Sequence, residues 1–120
     1  MSLNVLIADD SSTMRKIIAR SLLSLGAGEL TEAGDGAQAV DKFKSGQFDL
    51  VLTDWNMPNK SGLEVVKEIR ADNAQVPIIM ITTEAEKTRV VEAIQAGVSD
   101  YLIKPFTAEA LKAKLEKFGL

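Results

Sequence analysis

Five short apolar runs, each ending in polar or charged residues, alternate along the chain with five stretches whose apolar residues recur every three or four positions. Leu3 to Ala8 is the first run and stops at the acidic pair Asp9 and Asp10. From Ser12 the period becomes helical: Met14, Ile17, Ile18, Ser21, Leu22 and Leu25 form one stripe, and Gly26 supplies the stop. Glu29 to Ala33 is a weaker strand. Asp35-Gly36-Ala37-Gln38 then resembles a capping box, opening a helix that turns Ala37, Val40 and Phe43 inward and ends at Gly46.

The third run, Leu50 to Thr53, is continuously apolar, as a central strand covered on both faces requires, and it ends at Asp54. Asn56, Pro58 and Asn59 break regularity, leaving the turn's carbonyls free to point at whatever that carboxylate binds. Ser61-Gly62-Leu63-Glu64 is a cleaner capping box, for a helix with Leu63, Val66 and Ile69 on one face. Pro77 to Thr82 is the most apolar run. Thr83 and Glu86 predict a third capping box, for a helix through Val90, Val91 and Ile94 that Gly97 closes. Asp100 to Ile103 is the last strand, and after Lys104-Pro105-Phe106 a helix capped by Thr107 turns Leu111, Leu115 and Phe118 inward. For Lys104 to face the strand ends while Phe106 packs elsewhere, the Lys104–Pro105 bond is expected to be cis.

Every gap between strands is long enough for a helical crossover, so the sheet should be parallel with helices on both faces. Right-handed crossovers then limit the fold to a doubly wound (βα)5 sandwich of the α/β class. In such a sheet all strand carboxyl ends share one edge, which brings together Asp9, Asp10, Asp54, Thr82, Thr83 and Lys104. Ligands of open α/β sheets bind at that edge.

At 120 residues and 46% hydrophobic content, one domain over residues 1–120 is expected. The net charge of −3, with basic residues scattered, argues against a direct nucleic-acid partner. Lacking cysteine and histidine, the chain has no thiol chemistry, imidazole base or His-ligated metal available, so carboxylates, hydroxyls, Lys and Arg must carry any reaction. No apolar run approaches the ~20 residues of a membrane span. A soluble, cytoplasmic monomer is the expectation.

Three carboxylates, a hydroxyl and a lysine at one edge define a narrow chemistry. Carboxylates that close repel, and a hard cluster of oxygens suits Mg²⁺, which keeps waters and also coordinates phosphate. Lys104 and Thr82 fit the remaining needs of a phosphoryl group, a cation and a hydrogen-bond donor. An aspartate beside the metal can itself be the nucleophile and become an aspartyl-phosphate.

Asp9-Asp10, Asp54-Trp55-Asn56-Met57-Pro58, Thr82-Thr83-Glu84-Ala85, Tyr101 and Lys104-Pro105-Phe106 together resemble the receiver domain of two-component response regulators. The resemblance spans the chain and is strongest to the single-domain chemotaxis regulators, through Ser12-Thr13-Met14-Arg15 and the Asp54 segment. It implies a flavodoxin-like sheet in the order 2-1-3-4-5. It also implies Asp54 as phosphoacceptor, and Asp10, Asp54 and the Asn56 carbonyl as Mg²⁺ ligands with Asp9 holding a metal-bound water. Lys104 is implied to pair with a phosphoryl oxygen, and Thr82 to move toward another, followed by Tyr101. Asn56 and Glu84 would flank the path of the hydrolytic water and set the phosphoryl lifetime. The implied output face comprises Lys87, Tyr101, Ile103 and Lys114, while the first helix around Met14 and Arg15 would receive the kinase. Trp55, the single tryptophan, reads as a half-buried loop aromatic that should report fluorescence changes at Asp54.

The resemblance thus implies a non-enzymatic signalling domain, phosphorylated by a sensor histidine kinase and acting on the flagellar switch or another effector. A phosphorelay intermediate, or a domain cut from a larger regulator, is the alternative. Glu86 is a departure, since the chemotaxis regulators carry Lys at the matching place; it weakens the motor assignment. A haloacid-dehalogenase-like phosphatase would need a second Asp where Asn56 stands. A flavodoxin-like electron carrier would need a phosphate-binding loop after the first strand, where two Asp would repel the ligand. A module that works without phosphorylation would usually lack acidic or lysine residues of the pocket, and here all are present.

Overall fold

The computed structural model describes residues 3–120, so Met1 and Ser2 lie outside the description. Ten elements alternate: β1 (Asn4–Ala8), α1 (Ser12–Ser24), β2 (Glu29–Ala33), α2 (Gly36–Ser45), β3 (Leu50–Thr53), α3 (Gly62–Asp72), β4 (Ile78–Thr82), α4 (Lys87–Ala96), β5 (Asp100–Ile103) and α5 (Ala108–Glu116). The five strands pair in parallel in the order β2-β1-β3-β4-β5. This is the expected doubly wound (βα)5 sandwich.

Strand side chains alternate between faces, and here both faces are dry. Val5, Ile7, Leu50, Leu52, Ile79 and Ile81 meet Ile18 and Leu22 of α1 and Leu111 and Leu115 of α5. Leu6, Ala8, Val51, Ile78 and Met80 meet α2, α3 and α4 through Val40, Val65, Ile69 and Ala93. The edge strands are less apolar: Glu29 and Glu32 are exposed on β2, and Asp100 of β5 binds the ammonium groups of Lys114 and Lys117 at 3.0 and 2.8 Å.

Helix starts follow their caps with one exception, and one further capping box forms only in part. Ser61 and Glu64 form the full reciprocal box, and Thr107 accepts from Ala110 N–H. Asp35 accepts from Gln38 N–H, but the Gln38 side chain reaches one residue further back and takes the Gly34 N–H instead. The expected box between Thr83 and Glu86 does not form: α4 starts at Lys87 and Glu86 makes no capping hydrogen bond. Glu84, between them, is held by Asn56 and Tyr101 instead.

The apolar stripes are also wider than the arcs the sheet covers. Ile17 is 45% exposed because it sits roughly a quarter turn from the centre of the arc formed by Met14, Ile18, Leu22 and Leu25. On α4 only Ala93 is fully buried, leaving Val91 and Ile94 in solvent. Gly97 closes this helix at φ +117, a left-handed conformation that favours glycine. The Lys104–Pro105 bond is cis, as expected.

Candidate functional site

Backbone hydrogen bonds of the sheet continue one residue past the strands and fix the site's frame. Asp9 N–H donates to the Ala33 carbonyl, Asp54 N–H to the Ala8 carbonyl, and Lys104 N–H to the Thr82 carbonyl. These bonds, at 3.1, 2.9 and 2.9 Å, set three charged side chains side by side at the carboxyl edge. The Lys104 ammonium lies 2.6 Å from Asp9 Oδ2 and 2.9 Å from Asp54 Oδ2. Asp9 is 1% exposed, and its other oxygen accepts the Ser11 N–H at 2.9 Å. Asp54 Oδ1 accepts the N–H of its own neighbour Trp55 at 2.6 Å.

Asp10 is exposed and completes the acidic group: Asp9, Asp10 and Asp54 each offer an oxygen, all within 4.8 Å of one another. Three carboxylates against one ammonium leave two negative charges uncompensated, and the donors are all hard oxygens. That combination fits a divalent cation of the Mg²⁺ or Ca²⁺ kind. Burial works to lower the Lys104 pKa, but its hydrogen bonds to Asp9 and Asp54 outweigh this and hold it above the usual lysine value. The ammonium is therefore charged throughout the neutral range.

Beyond the carboxylates, Glu84 ties the remaining expected residues together. Its N–H donates to Thr82 Oγ1 at 3.3 Å, its carboxylate accepts from Asn56 Nδ2 at 3.1 Å, and its carbonyl accepts the Tyr101 hydroxyl at 2.7 Å. Thr82 is fully buried and Tyr101 half-buried. Burial raises the pKa of the Tyr101 hydroxyl, and the charges of Glu84 and Asp54 add to the effect while Arg89 opposes it. Of the four residues expected on an output face, Lys87 and Ile103 are exposed and Tyr101 is half-buried. Lys114 is partly buried and engaged with Asp100.

Trp55 corrects an expectation: it is 5% exposed rather than half-buried. Its ring joins the core on the α2–α3–α4 side, and the Arg89 guanidinium lies over it at 5.3 Å. Arg15 also belongs to the site's support, since Nη1 donates to the Asp9 carbonyl at 2.6 Å while Nε pairs with Glu32 at 2.9 Å. Gly62 is a further supporting residue, its N–H donating to the Trp55 carbonyl at 2.7 Å. Nothing in the sequence pairs Arg89 of α4 with a tryptophan in the loop after β3. The glycine after the capping Ser61 was the one visible cue for Gly62.

Comparison with known proteins places the whole chain in a family. A model of the response regulator receiver domain matches residues 5–116. The chemotaxis protein CheY-3 of Vibrio cholerae is 48% identical over 118 residues, covering 97% of this chain and 91% of that protein. The chemotaxis protein CheY of Pseudomonas aeruginosa is 46% identical over 117 residues, covering 96% and 94%. Among solved structures, the Vibrio cholerae chemotaxis protein CheY4 superposes with a TM-score of 0.90 at 34% identity, with 98% of each chain covered. The receiver domain of the Francisella response regulator 1452 superposes at 0.88 with 28% identity, covering 97% of this chain and 95% of that one. With a family model matching almost end to end and relatives this similar in sequence and fold, the chain belongs to the response regulator receiver domains of two-component signalling and is closely related to the CheY chemotaxis regulators.

Proposed function

We propose that Asp54 accepts a phosphoryl group from the phosphohistidine of a sensor kinase, and that the chain then binds an effector through its α4–β5–α5 side. The observation that carries this reading is the Lys104 ammonium shared between Asp54 and Asp9, beside the third carboxylate Asp10. A carboxylate oxygen of Asp54 forms the new bond to phosphorus as the histidine nitrogen leaves. Lys104 supplies positive charge to the transferred group's oxygens, and the Thr82 hydroxyl can donate to one of them. Asp9, Asp10 and Asp54, with the Asn56 carbonyl, would hold Mg²⁺, which when bound neutralises charge on the phosphoryl oxygens. Residues 1–120 form one receiver domain in this reading, supported by the single sheet with a core on each face.

The effector follows from the relatives, whose names are those of chemotaxis proteins, so the flagellar switch is the proposed target and the phosphorelay alternative is not favoured. Exposed Val91, Ile94 and Ile103, beside Lys87, give that side the apolar and basic character a docking face needs. Cytoplasmic placement agrees with the fact that, among the described residues, no helix is long and apolar enough to cross a membrane. Mg²⁺-dependent labelling by acetyl phosphate, lost in Asp54→Asn, tests the phosphoacceptor.

Metal should also stabilise the fold. At ten times its Kd, Mg²⁺ is expected to add about 1.4 kcal/mol, read as a rise in melting temperature. Asp10→Asn should remove most of that rise and, by relieving like-charge repulsion, raise the melting temperature of the metal-free protein. A melting temperature indifferent to Mg²⁺ would remove the metal from this account.

The phosphoryl lifetime rests on Asn56 and Glu84, whose side chains bond to each other at 3.1 Å. Both are polar and of moderate size, able to place a water rather than cover Asp54. Decay of the aspartyl-phosphate is therefore expected to be quick. Asn56→Arg breaks the pair, fills the approach path and brings a guanidinium to the phosphoryl oxygens, so decay should slow by about 10-fold or more. Recovery of Trp55 fluorescence after removal of the donor measures both rates; faster decay in the variant would contradict the assignment.

A further inference from the structure

Four of the five helices begin at a side chain that accepts a backbone N–H: Ser11, Asp35, Ser61 and Thr107. Only α4 has none. Its first turn carries Lys87 and Arg89 and no acidic residue, so two cations sit at the positive end of the helix dipole, countered only by the N-cap Glu86. Ala93 is its one fully buried residue. The start of α4 is thus poorly held by the usual means and depends on some other contact.

One such contact is made by Arg89. Its guanidinium lies over the Trp55 ring at 5.3 Å, while its ion pair with Glu92 is long, at 3.7 Å, and half exposed. Trp55 in turn is bound through both of its backbone polar groups. Its N–H donates to Asp54 Oδ1 at 2.6 Å, and its carbonyl accepts from Gly62 at 2.7 Å. The residue that carries the ring is thus held by its backbone directly against the Asp54 carboxylate.

We infer that Arg89 is a positioning residue for Asp54, acting through Trp55, and that the same stack joins the uncapped start of α4 to the phosphoacceptor loop. The part concerning phosphoryl uptake rests on the reading of Asp54 as phosphoacceptor. The mechanical link between α4 and Trp55 stands independently of that reading. Because linkage is reciprocal, a shift of the first turn of α4 should also reach the Asp54 carboxylate through this stack, in addition to any route through Thr82 and Tyr101.

The test compares wild type, Arg89→Ala, Arg89→Lys and, as a control, Glu92→Ala. Acrylamide quenching of Trp55 and hydrogen exchange at residues 55–57 and 87–90 read the link, and the acetyl phosphate labelling rate against donor concentration reads the chemistry. In Arg89→Ala, quenching and both exchange rates should rise by about two- to fivefold, the size of a cation–π contact at a partly exposed site. The maximal labelling rate should fall with the half-saturating donor concentration unchanged. Arg89→Lys should lie between, and Glu92→Ala should match wild type. If Arg89→Ala loosens residues 87–90 alone, with Trp55 quenching, 55–57 exchange and labelling at wild-type values, the inference is overturned. A wild type that takes no label sinks the reading of Asp54 instead, while quenching and exchange still decide the Arg89 link.

Discussion

In Lys104→Ala, labelling by acetyl phosphate is expected to fall by about 10²- to 10³-fold, the usual loss when one preorganised donor to a developing charge is removed. Among the described residues, Lys104 is the one whose ammonium reaches both Asp9 and Asp54. The variant should also be less stable. With side-chain exposures of 10% for Lys104, 2% for Asp9 and 12% for Asp54, these are mostly buried pairs. Breaking such a pair from one side leaves uncompensated charge and costs about 3–5 kcal/mol. The lower end is expected, since Asp10 lies open to water beside them.

The two consequences separate in the double variant Lys104→Ala with Asp9→Asn. Neutralising Asp9 removes one stranded charge, so the melting temperature should recover in part while labelling stays slow. Acidity adds a further check. The Lys104 pKa is raised in the folded state, so the stability its charge contributes is fully present below the ordinary lysine value of 10.5 and is lost only as pH rises through the raised one. Labelling should therefore show no loss attributable to Lys104 between neutral pH and that value.

Gly62→Ala is expected to cost about 3 kcal/mol, the upper part of the range for overpacking a well-packed site. A Cβ at this position would stand 1.9 Å from the Asp54 carbonyl oxygen, 2.8 Å from its carbon and 2.9 Å from the Trp55 Cα. All three are backbone atoms, so no side-chain rotation relieves the clash. Either α3 withdraws and breaks the bond from Gly62 N–H to Trp55, or the loop shifts and carries Asp54 with it. The melting temperature should drop by roughly 10–15 °C, and the labelling rate of the folded fraction should fall. Gly34→Ala is the control, because its Cβ would meet only side-chain atoms at 3.6 and 3.8 Å; its effect should stay within about 0.5 kcal/mol. Equal melting temperatures for the two variants would show that the close approach at Gly62 does not constrain the loop.

Much of this was legible in the chain before any coordinates. Apolar runs that end in Asp9, Asp54, Thr82 and Lys104 imply a parallel sheet, and a parallel sheet brings those ends to one edge. Local chemistry set several helix starts, such as Ser61 with Glu64. The failures share a cause, which is that tertiary partners compete with local ones. Thr83 and Glu86 match the capping pattern, yet Asn56 and Tyr101 hold Glu84 between them. Ile17 and Ile94 fall on apolar stripes, but a stripe does not reveal how wide an arc the sheet will cover. The burial of Trp55 under Arg89, and the contact of Gly62 with the Asp54 backbone, join loop residues to helix starts and leave no spacing to read.

The central claim is that Asp54 takes the phosphoryl group in a pocket that needs a divalent cation. The most direct measurement is intact-mass spectrometry after incubation with acetyl phosphate, with and without Mg²⁺, followed by peptide mapping of the labelled residue in wild type and Asp54→Asn. The account predicts a single added phosphoryl group, on Asp54, that appears only with Mg²⁺ and never in the variant. Label on another residue of the wild type, equal labelling of Asp54→Asn, or an unlabelled wild type in the presence of Mg²⁺ would contradict it.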